Sequence, residues 1–325
     1  MQDPAHKETD REIELLEKRL KAAYRKASKS IANKLKNFLA KYEQNLKEKR
    51  ESLSSGEITK RQFSEWAQSQ ISTQTWYINL IRTLSKDALD ADIRAASIIN
   101  GALPKTYAIN FNFGTYQIEK AGRVNTAFTL YDQLTVAKLL KDNPALYGTA
   151  KVNEAKDLLW NQRKLSSALA QGILQGEPVN KVANRVQGVV DMNYKSALRT
   201  ARTTMTGAQN AGRVGSYERA QKLGIKGKKR WLATLDNRTR DSHALLDGVS
   251  VDINERFANG LEYPGDETGD PSEYMNCRCT LIYEMEGTDY DNMQRSSKLG
   301  DMSYEEWKAE HQKSADRKRN SEQRH

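Results

Sequence analysis

The chain lacks the residues from which disulfide scaffolds and membrane spans are built. Of its 325 residues only 2 are cysteine, and they sit together as Cys277 and Cys279. That excludes a disulfide framework and makes a reducing, cytosolic site of synthesis the expectation. No apolar run approaches the roughly 18 residues of a membrane-spanning helix, so no membrane partner is expected. The first residues, MQDPAHKETDRE, hold no apolar stretch of the kind a secretory signal needs. Hydrophobic residues make up 38% of the chain and mean hydropathy is −0.80. One large globular core needs more than this, whereas elongated helices with solvated faces do not. Walker A, GxGxxG, HExxH, RNP and basic-zipper patterns are all missing, as is zinc-finger spacing.

What is present is charge, unevenly placed. The formal net charge is +10. From Lys195 to Arg230 there are ten basic residues and one acid: Lys195, Arg199, Arg202, Arg213, Arg219, Lys222, Lys226, Lys228, Lys229 and Arg230 against Glu218. From Asp236 to Glu286 there are twelve acids and four arginines. A basic stretch followed by an acidic one describes a molecule with opposed faces. The ten basic residues are the candidate DNA-facing set, and contact through them would be non-specific and salt-sensitive. The competing reading is a solvated helix face.

The clearest periodicity lies near the N-terminus. Ile13, Leu16, Leu20, Tyr24, Ala27, Ile31, Leu35, Phe38, Tyr42 and Leu46 recur at spacings of three and four. This is an eleven-residue repeat, about 3.67 residues per turn, which keeps one stripe on one face of a nearly straight helix. Packing within the chain is the expected use of that stripe. Ser54-Ser55-Gly56 ends the helix, and Thr59 with Gln62 forms a capping-box pattern for the next. A third helix is expected from about Thr75 to Ile98, closed by Asn100-Gly101 with Pro104 beyond. Residues 102–125 read as irregular and aromatic, with the alternation from Tyr107 to Phe113 suggesting a strand or extended arm. Helices follow over Thr126–Leu140, about Lys151–Leu174, Val179–Val186 and about Asn193–Leu223, the last interrupted by Gly207 and Gly212. Trp66, Trp76 and Trp160 read as core positions, and Gly207 and Gly212 as points where another element can approach closely.

The texture changes at Gly224. Strands are expected at Trp231–Leu235, Val249–Val251 and Cys279–Tyr283, with a short helix over Thr239–Leu246, a turn at Asp247-Gly248 and a Gly/Pro/Asp-rich loop over 259–271. The fold class is therefore α+β, a mainly helical N-terminal body with long amphipathic helices followed by a small α+β unit. The domains read as 1–149, helical; 150–286, helices to 223 and the small unit over 224–286; and 287–325, a polar, flexible tail with at most one helix around Tyr304–Lys313.

Polar residues crowd into the small unit: Trp231, Asp236, Arg238, Thr239, Arg240, His243, Asp247, Gly248, Asn276, Cys277, Arg278 and Cys279. Two residues apart on a strand, Cys277 and Cys279 point to one face and Arg278 to the other. Two thiolates with His243 and an aspartate can hold zinc tetrahedrally. Alternatively both thiols pack in the core, the reading taken here, which needs no cofactor. His243 with Asp236, Asp241 and Arg240 can also be a general-base constellation of a nuclease or other hydrolase. Against that stands an ion-pair and turn-capping network with a backbone-bonded His243.

The order of these residues resembles a known family. Ala201-Arg-Thr, then Asn210-Ala-Gly-Arg213, then W-x4-D-x-R-T-R-x2-H-x3-D-G from Trp231 to Gly248, then a Pro/Gly-rich loop and Asn276-Cys-Arg-Cys279 are similar to the Mu F-like phage head morphogenesis family, also called minor capsid or minor head proteins. The match covers about residues 150–285. Two positions depart from the family pattern: Thr204 stands where an acid is frequent, and Tyr274-Met275 where His-Pro is frequent, which removes a possible metal ligand. The resemblance implies a structural assembly protein of a tailed phage or prophage rather than an enzyme. It implies entry into the procapsid with the portal, a place inside the virion head after assembly in the host cytoplasm, and an influence on DNA packaging or ejection. The implied partners are the portal protein, a capsid or scaffolding protein, and packaged double-stranded DNA.

Overall fold

The computed structural model of the protein describes residues 3–72, 75–123, 129–286 and 301–322. Its elements are α1 (Pro4–Ser54), α2 (Lys60–Ser72), α3 (Thr75–Gly122), α4 (Gln133–Asp142), α5 (Glu154–Leu174), α6 (Val179–Lys222), β1 (Gly227–Leu232), α7 (Asp241–Leu245), β2 (Ser250–Asp252), α8 (Pro271–Tyr274), β3 (Thr280–Met285) and α9 (Tyr304–Glu322). The α+β reading holds, with long helices first and a small sheet after. The compact units, however, are not consecutive in the chain. One comprises residues 1–16, 99–150 and 199–325, the other residues 17–98 and 151–198.

In the second unit the α1 stripe is buried at Leu20, Tyr24, Ile31, Leu35, Tyr42 and Leu46. Leu39 is buried where the repeat predicts Phe38, which is half-buried. The capping box forms, with the Thr59 N–H donating to Gln62 Oε1 (2.8 Å) and the Gln62 N–H donating to Thr59 Oγ1 (3.2 Å). Asp92 on α3 ties the helices together. It accepts from Tyr24 Oη (2.6 Å), Asn161 Nδ2 (3.3 Å) and Asn193 Nδ2 (3.2 Å), and burial holds its carboxyl above the usual range. Trp66 is half-buried and Trp160 is 38% exposed, so Trp160 is not a core residue. The Trp76 side chain lies outside the described residues.

The other unit corrects the sequence reading in three places. First, α3 does not end at Asn100-Gly101; it runs through Pro104 to Gly122. Residues 106–116 are buried without exception. A helix buried on every side has no solvated face to impose a 3.6-residue period, and its chance alternation mimics a strand. Asn100, the expected helix end, instead uses its side chain to clasp Ala150, Nδ2 donating to the carbonyl (3.0 Å) and Oδ1 accepting from the N–H (2.8 Å). Second, α6 is one 44-residue helix, not two, and neither Gly207 nor Gly212 interrupts it. Backbone crosses at both: a Cβ on Gly207 would meet the Gly265 carbonyl at 2.8 Å, and one on Gly212 the Tyr107 carbonyl at 2.5 Å. Third, α4 starts at Gln133, because Asp132 caps it by accepting from the Thr135 N–H at 2.7 Å. Of the longer expected helix, residues 126–128 lie outside the described ones.

The sheet is antiparallel, in order β2-β1-β3. Strand β1 begins at Gly227 and ends at Leu232, four residues earlier than Trp231 would place it. Buried residues from α3, α6, the sheet and its loops make one core: Ile118, Val214, Tyr217, Trp231, Leu246, Phe257, Leu261, Cys277, Cys279 and Leu281 among them. The polar C-terminal segment carries more order than its composition predicts. Trp307 on α9 is fully buried, stacks edge-on against Tyr116 with centroids 5.7 Å apart, and donates from Nε1 to Glu119 Oε2 at 2.7 Å. Residues 287–300 lie outside the described ones.

Candidate functional site

One face of α6 is polar and buried: Thr203, Thr206, Asn210 and Arg213, spaced 3-4-3, so that they stack on one side of the helix. Their side chains grip the backbone of residues 276–281. Thr203 Oγ1 accepts from the Asn276 N–H (3.0 Å), and Thr206 Oγ1 donates to the Cys277 carbonyl (2.8 Å). Asn210 Nδ2 donates to the carbonyls of Cys279 (3.2 Å) and Pro264 (3.0 Å), and its Oδ1 accepts from the Leu281 N–H (3.1 Å). Arg213 Nη1 donates to the Leu281 carbonyl (2.6 Å), and Nη2 pairs with Asp3 (2.6 Å). The Arg-Thr and Asn-x-x-Arg portions of the motif thus hold β3 on α6.

The strand so positioned brings the two thiols together with His243. Cys277 Sγ is 3.6 Å and Cys279 Sγ 3.5 Å from His243 Nδ1. The three ligand atoms lie within 4.8 Å of one another, and the residues are 1%, 3% and 1% exposed for Cys277, Cys279 and His243. Helix α7 supplies His243, and Trp231 on β1 packs edge-on against its ring with centroids 5.2 Å apart. On the far side of the ring, Nε2 is 3.2 Å from Glu273 Oε2. The Glu273 carboxylate in turn accepts from Ser242 Oγ (3.0 Å) and Asn259 Nδ2 (3.2 Å). The Cys277 thiol lies well above its ordinary range, because it donates to Cys279 and is desolvated. Accepting from Cys277 draws the Cys279 thiol down, with His243 contributing. The cysteines occupy the core and at the same time form a donor cluster. Neither Glu273 nor Thr206 was singled out in the sequence, since a carboxylate in a Ser-Glu-Tyr turn and a threonine inside a helix carry no local signal.

The other motif residues build turns. Arg278 points away from the thiols and grips Asp236 with two 2.6 Å bonds, which holds the Asp236 carboxyl well below the usual carboxylate range. Asp236 also accepts from the Arg238 N–H at 2.9 Å. Thr239 Oγ1 donates to the Thr234 carbonyl and Arg240 to the Met275 carbonyl. Asp247 accepts from the Ala233 N–H at 2.9 Å, and Gly248, with φ +78°, donates to the Trp231 carbonyl at 2.9 Å. Asn276 takes a left-handed conformation (φ 54°), which Asn tolerates better than most residues. Asp236, Arg240 and His243, read together as a general-base constellation, are each committed to different partners.

The ten basic residues divide. Arg213 and Lys229 are 0% and 1% exposed and face the interior, so they leave the DNA-facing set. Lys229 Nζ donates to the Ile253 carbonyl at 2.7 Å, and burial draws it down to about 8. Lys228 pairs with Asp252 and Glu286, and Arg230 with Glu284. Arg219 is half-buried beside Tyr131. Lys195, Arg199, Arg202, Lys222 and Lys226 are exposed.

Comparison with known proteins places this site in a wider set. The family described as Phage Mu protein F like protein matches residues 163–282. The minor head protein GP7 of Bacillus phage SPP1 is 31% identical over 208 residues, 62% of this chain and 66% of that protein. A protein named NAD(+)--arginine ADP-ribosyltransferase EFV, from Enterococcus faecalis (strain ATCC 700802 / V583), is 34% identical over 154 residues, 46% of this chain and 31% of that protein. The chain thus spans about a third of one relative and just under two thirds of the other. No solved structure matches the chain.

Proposed function

The chain belongs to the Mu F-like phage head morphogenesis family, and from that premise we propose that it works as a minor head protein of a tailed phage or prophage. The observation that carries the reading is the similarity to a minor head protein over 62% of the chain. In this reading the protein enters the procapsid with the portal, resides inside the head, and assists packaging or ejection of DNA. Its work is structural rather than enzymatic. Its DNA contact runs through the exposed basic positions, chiefly Lys195, Arg199, Lys222 and Lys226, and is non-specific, since these groups offer charge and no base-reading geometry.

Quantitative mass spectrometry of purified procapsids and mature particles tests the placement. A few copies in both is the expected result. Presence in procapsids alone would replace it with a scaffold-like role, and absence from both would end the assembly reading. DNA contact is tested by the salt dependence of binding. Reversing the charge of Lys195, Arg199, Lys222 and Lys226 should flatten the log–log salt slope by up to about 3.6, at about 0.9 per phosphate contact. An unchanged slope would remove DNA from the proposal.

A further inference from the structure

We propose that His243, Cys277 and Cys279 form a binding site for a zinc ion, with Glu273 orienting the histidine. Zinc–sulfur bonds of about 2.3 Å and a zinc–nitrogen bond of about 2.0–2.1 Å, arranged tetrahedrally, separate sulfur from nitrogen by about 3.6 Å. The two Sγ–Nδ1 distances are 3.6 and 3.5 Å. Both sulfurs therefore stand where a shared metal needs them, facing the same ring nitrogen.

Glu273 beside Nε2 favours the tautomer with its proton on Nε2. That leaves the Nδ1 lone pair facing the two sulfurs. A metal uses that lone pair and both sulfurs at once. The carboxylate behind the ring is the usual partner of a metal-bound histidine, fixing its tautomer and raising its basicity. Here Ser242 and Asn259 hold that carboxylate in turn. The donors also come from separate places in the chain: His243 from α7 and the thiols from the segment that the α6 side chains hold. An ion there would close the small α+β unit, which has a three-stranded sheet and little core of its own.

Any proton still on a thiol leaves to solvent on binding, and the ion takes two thiolates and one neutral imidazole. Among the described residues the group supplies these three donors and no fourth histidine, cysteine or carboxylate. The softness of the donors selects zinc over magnesium or calcium.

The test uses the full chain. Protein from zinc-supplemented cultures, freed of loose metal by gel filtration, should carry about one zinc per chain by elemental mass spectrometry. After removal with a chelator and addition of Co2+ alone, the visible spectrum should show thiolate-to-cobalt charge transfer and the intense d–d bands of a tetrahedral site. His243→Ala and Cys279→Ser should lose the bands. Glu273→Gln should keep them with affinity lowered about 10–100-fold. Because the cysteine variants can fail to fold, the wild-type cobalt spectrum stands as the deciding measurement. Zinc well below stoichiometric with no cobalt–thiolate band would overturn the proposal, as would a folded His243→Ala protein that still holds one zinc.

Discussion

Asn210 and Arg213 show how single side chains set the geometry of the small unit. Each is 0% exposed, and each satisfies backbone groups that the sheet leaves open. Replacing Arg213 with Met would strand the Asp3 carboxylate and the Leu281 carbonyl, at a cost of about 3–5 kcal/mol, measurable by urea unfolding. Gly265→Ala combines a φ of +85° with a Cβ 2.6 Å from the Gly207 nitrogen. The strain alone costs about 1–3 kcal/mol, so a lowered melting temperature is expected. Lys229 gives a pH signature. Its folded pKa is drawn from 10.5 down to about 8. Below pH 8 it is charged in both states, and burial penalises the fold. Between about 8 and 10.5 the unfolded chain holds the extra proton, so stability rises with pH. The stability difference between wild type and Lys229→Met should follow that curve, and a flat difference would show that Lys229 does not titrate in this window. None of these roles was legible in the sequence, where Lys229 counted only as positive charge and Arg213 as charge and as a motif position. Charge is a property of residue type; burial depends on what the fold stacks above it.

At the scale of elements, legibility tracked solvent exposure. Helix α1 keeps one face wet, so its eleven-residue repeat predicted eight of ten buried positions and missed at Ile13, which is half-buried, and at Phe38, where Leu39 is buried instead. Helix α3 loses its wet face between residues 106 and 116, and there the pattern misled. Gly207 and Gly212 do not interrupt α6 as expected, but the close approach read for them holds, their missing side chains serving the crossing of Gly265 and Tyr107. Helix α9 was placed by composition in a loose tail. Its anchors are two buried aromatics, Tyr304 and Trp307, and Trp307→Ala should cost about 3–5 kcal/mol of local packing. Hydrogen exchange should then quicken in α9 and around Glu119 on α3, while the Asp92 cluster stays protected. Equal loosening of both would show that α9 supports more than its own docking.

For the molecule as a whole, long helices α1, α3 and α6 each supply residues to both units. That is why dividing the chain by composition yielded consecutive domains that the folded chain does not have. The basic segment, counted as one block of ten residues, resolves into exposed groups, groups paired across the sheet and two interior cations. A DNA contact built on the exposed members has fewer phosphates to neutralise than the full count implies, and the salt slope should reflect that smaller number.

The sequence by itself determined the family, the α+β class, the capping box, the Asp247-Gly248 turn and the rule that Cys277 and Cys279 share a side that Arg278 leaves. The last three depend on residues within a few positions of one another, where backbone geometry is local, and the family and class on the order of such local motifs along the chain. Only the tertiary structure decided that α3 continues through Pro104, that α6 holds β3 by its polar face, and that His243, both thiols and Glu273 converge. Those outcomes join residues 30 to 210 positions apart, and burial and long-range hydrogen bonding have no signature within a short window of sequence.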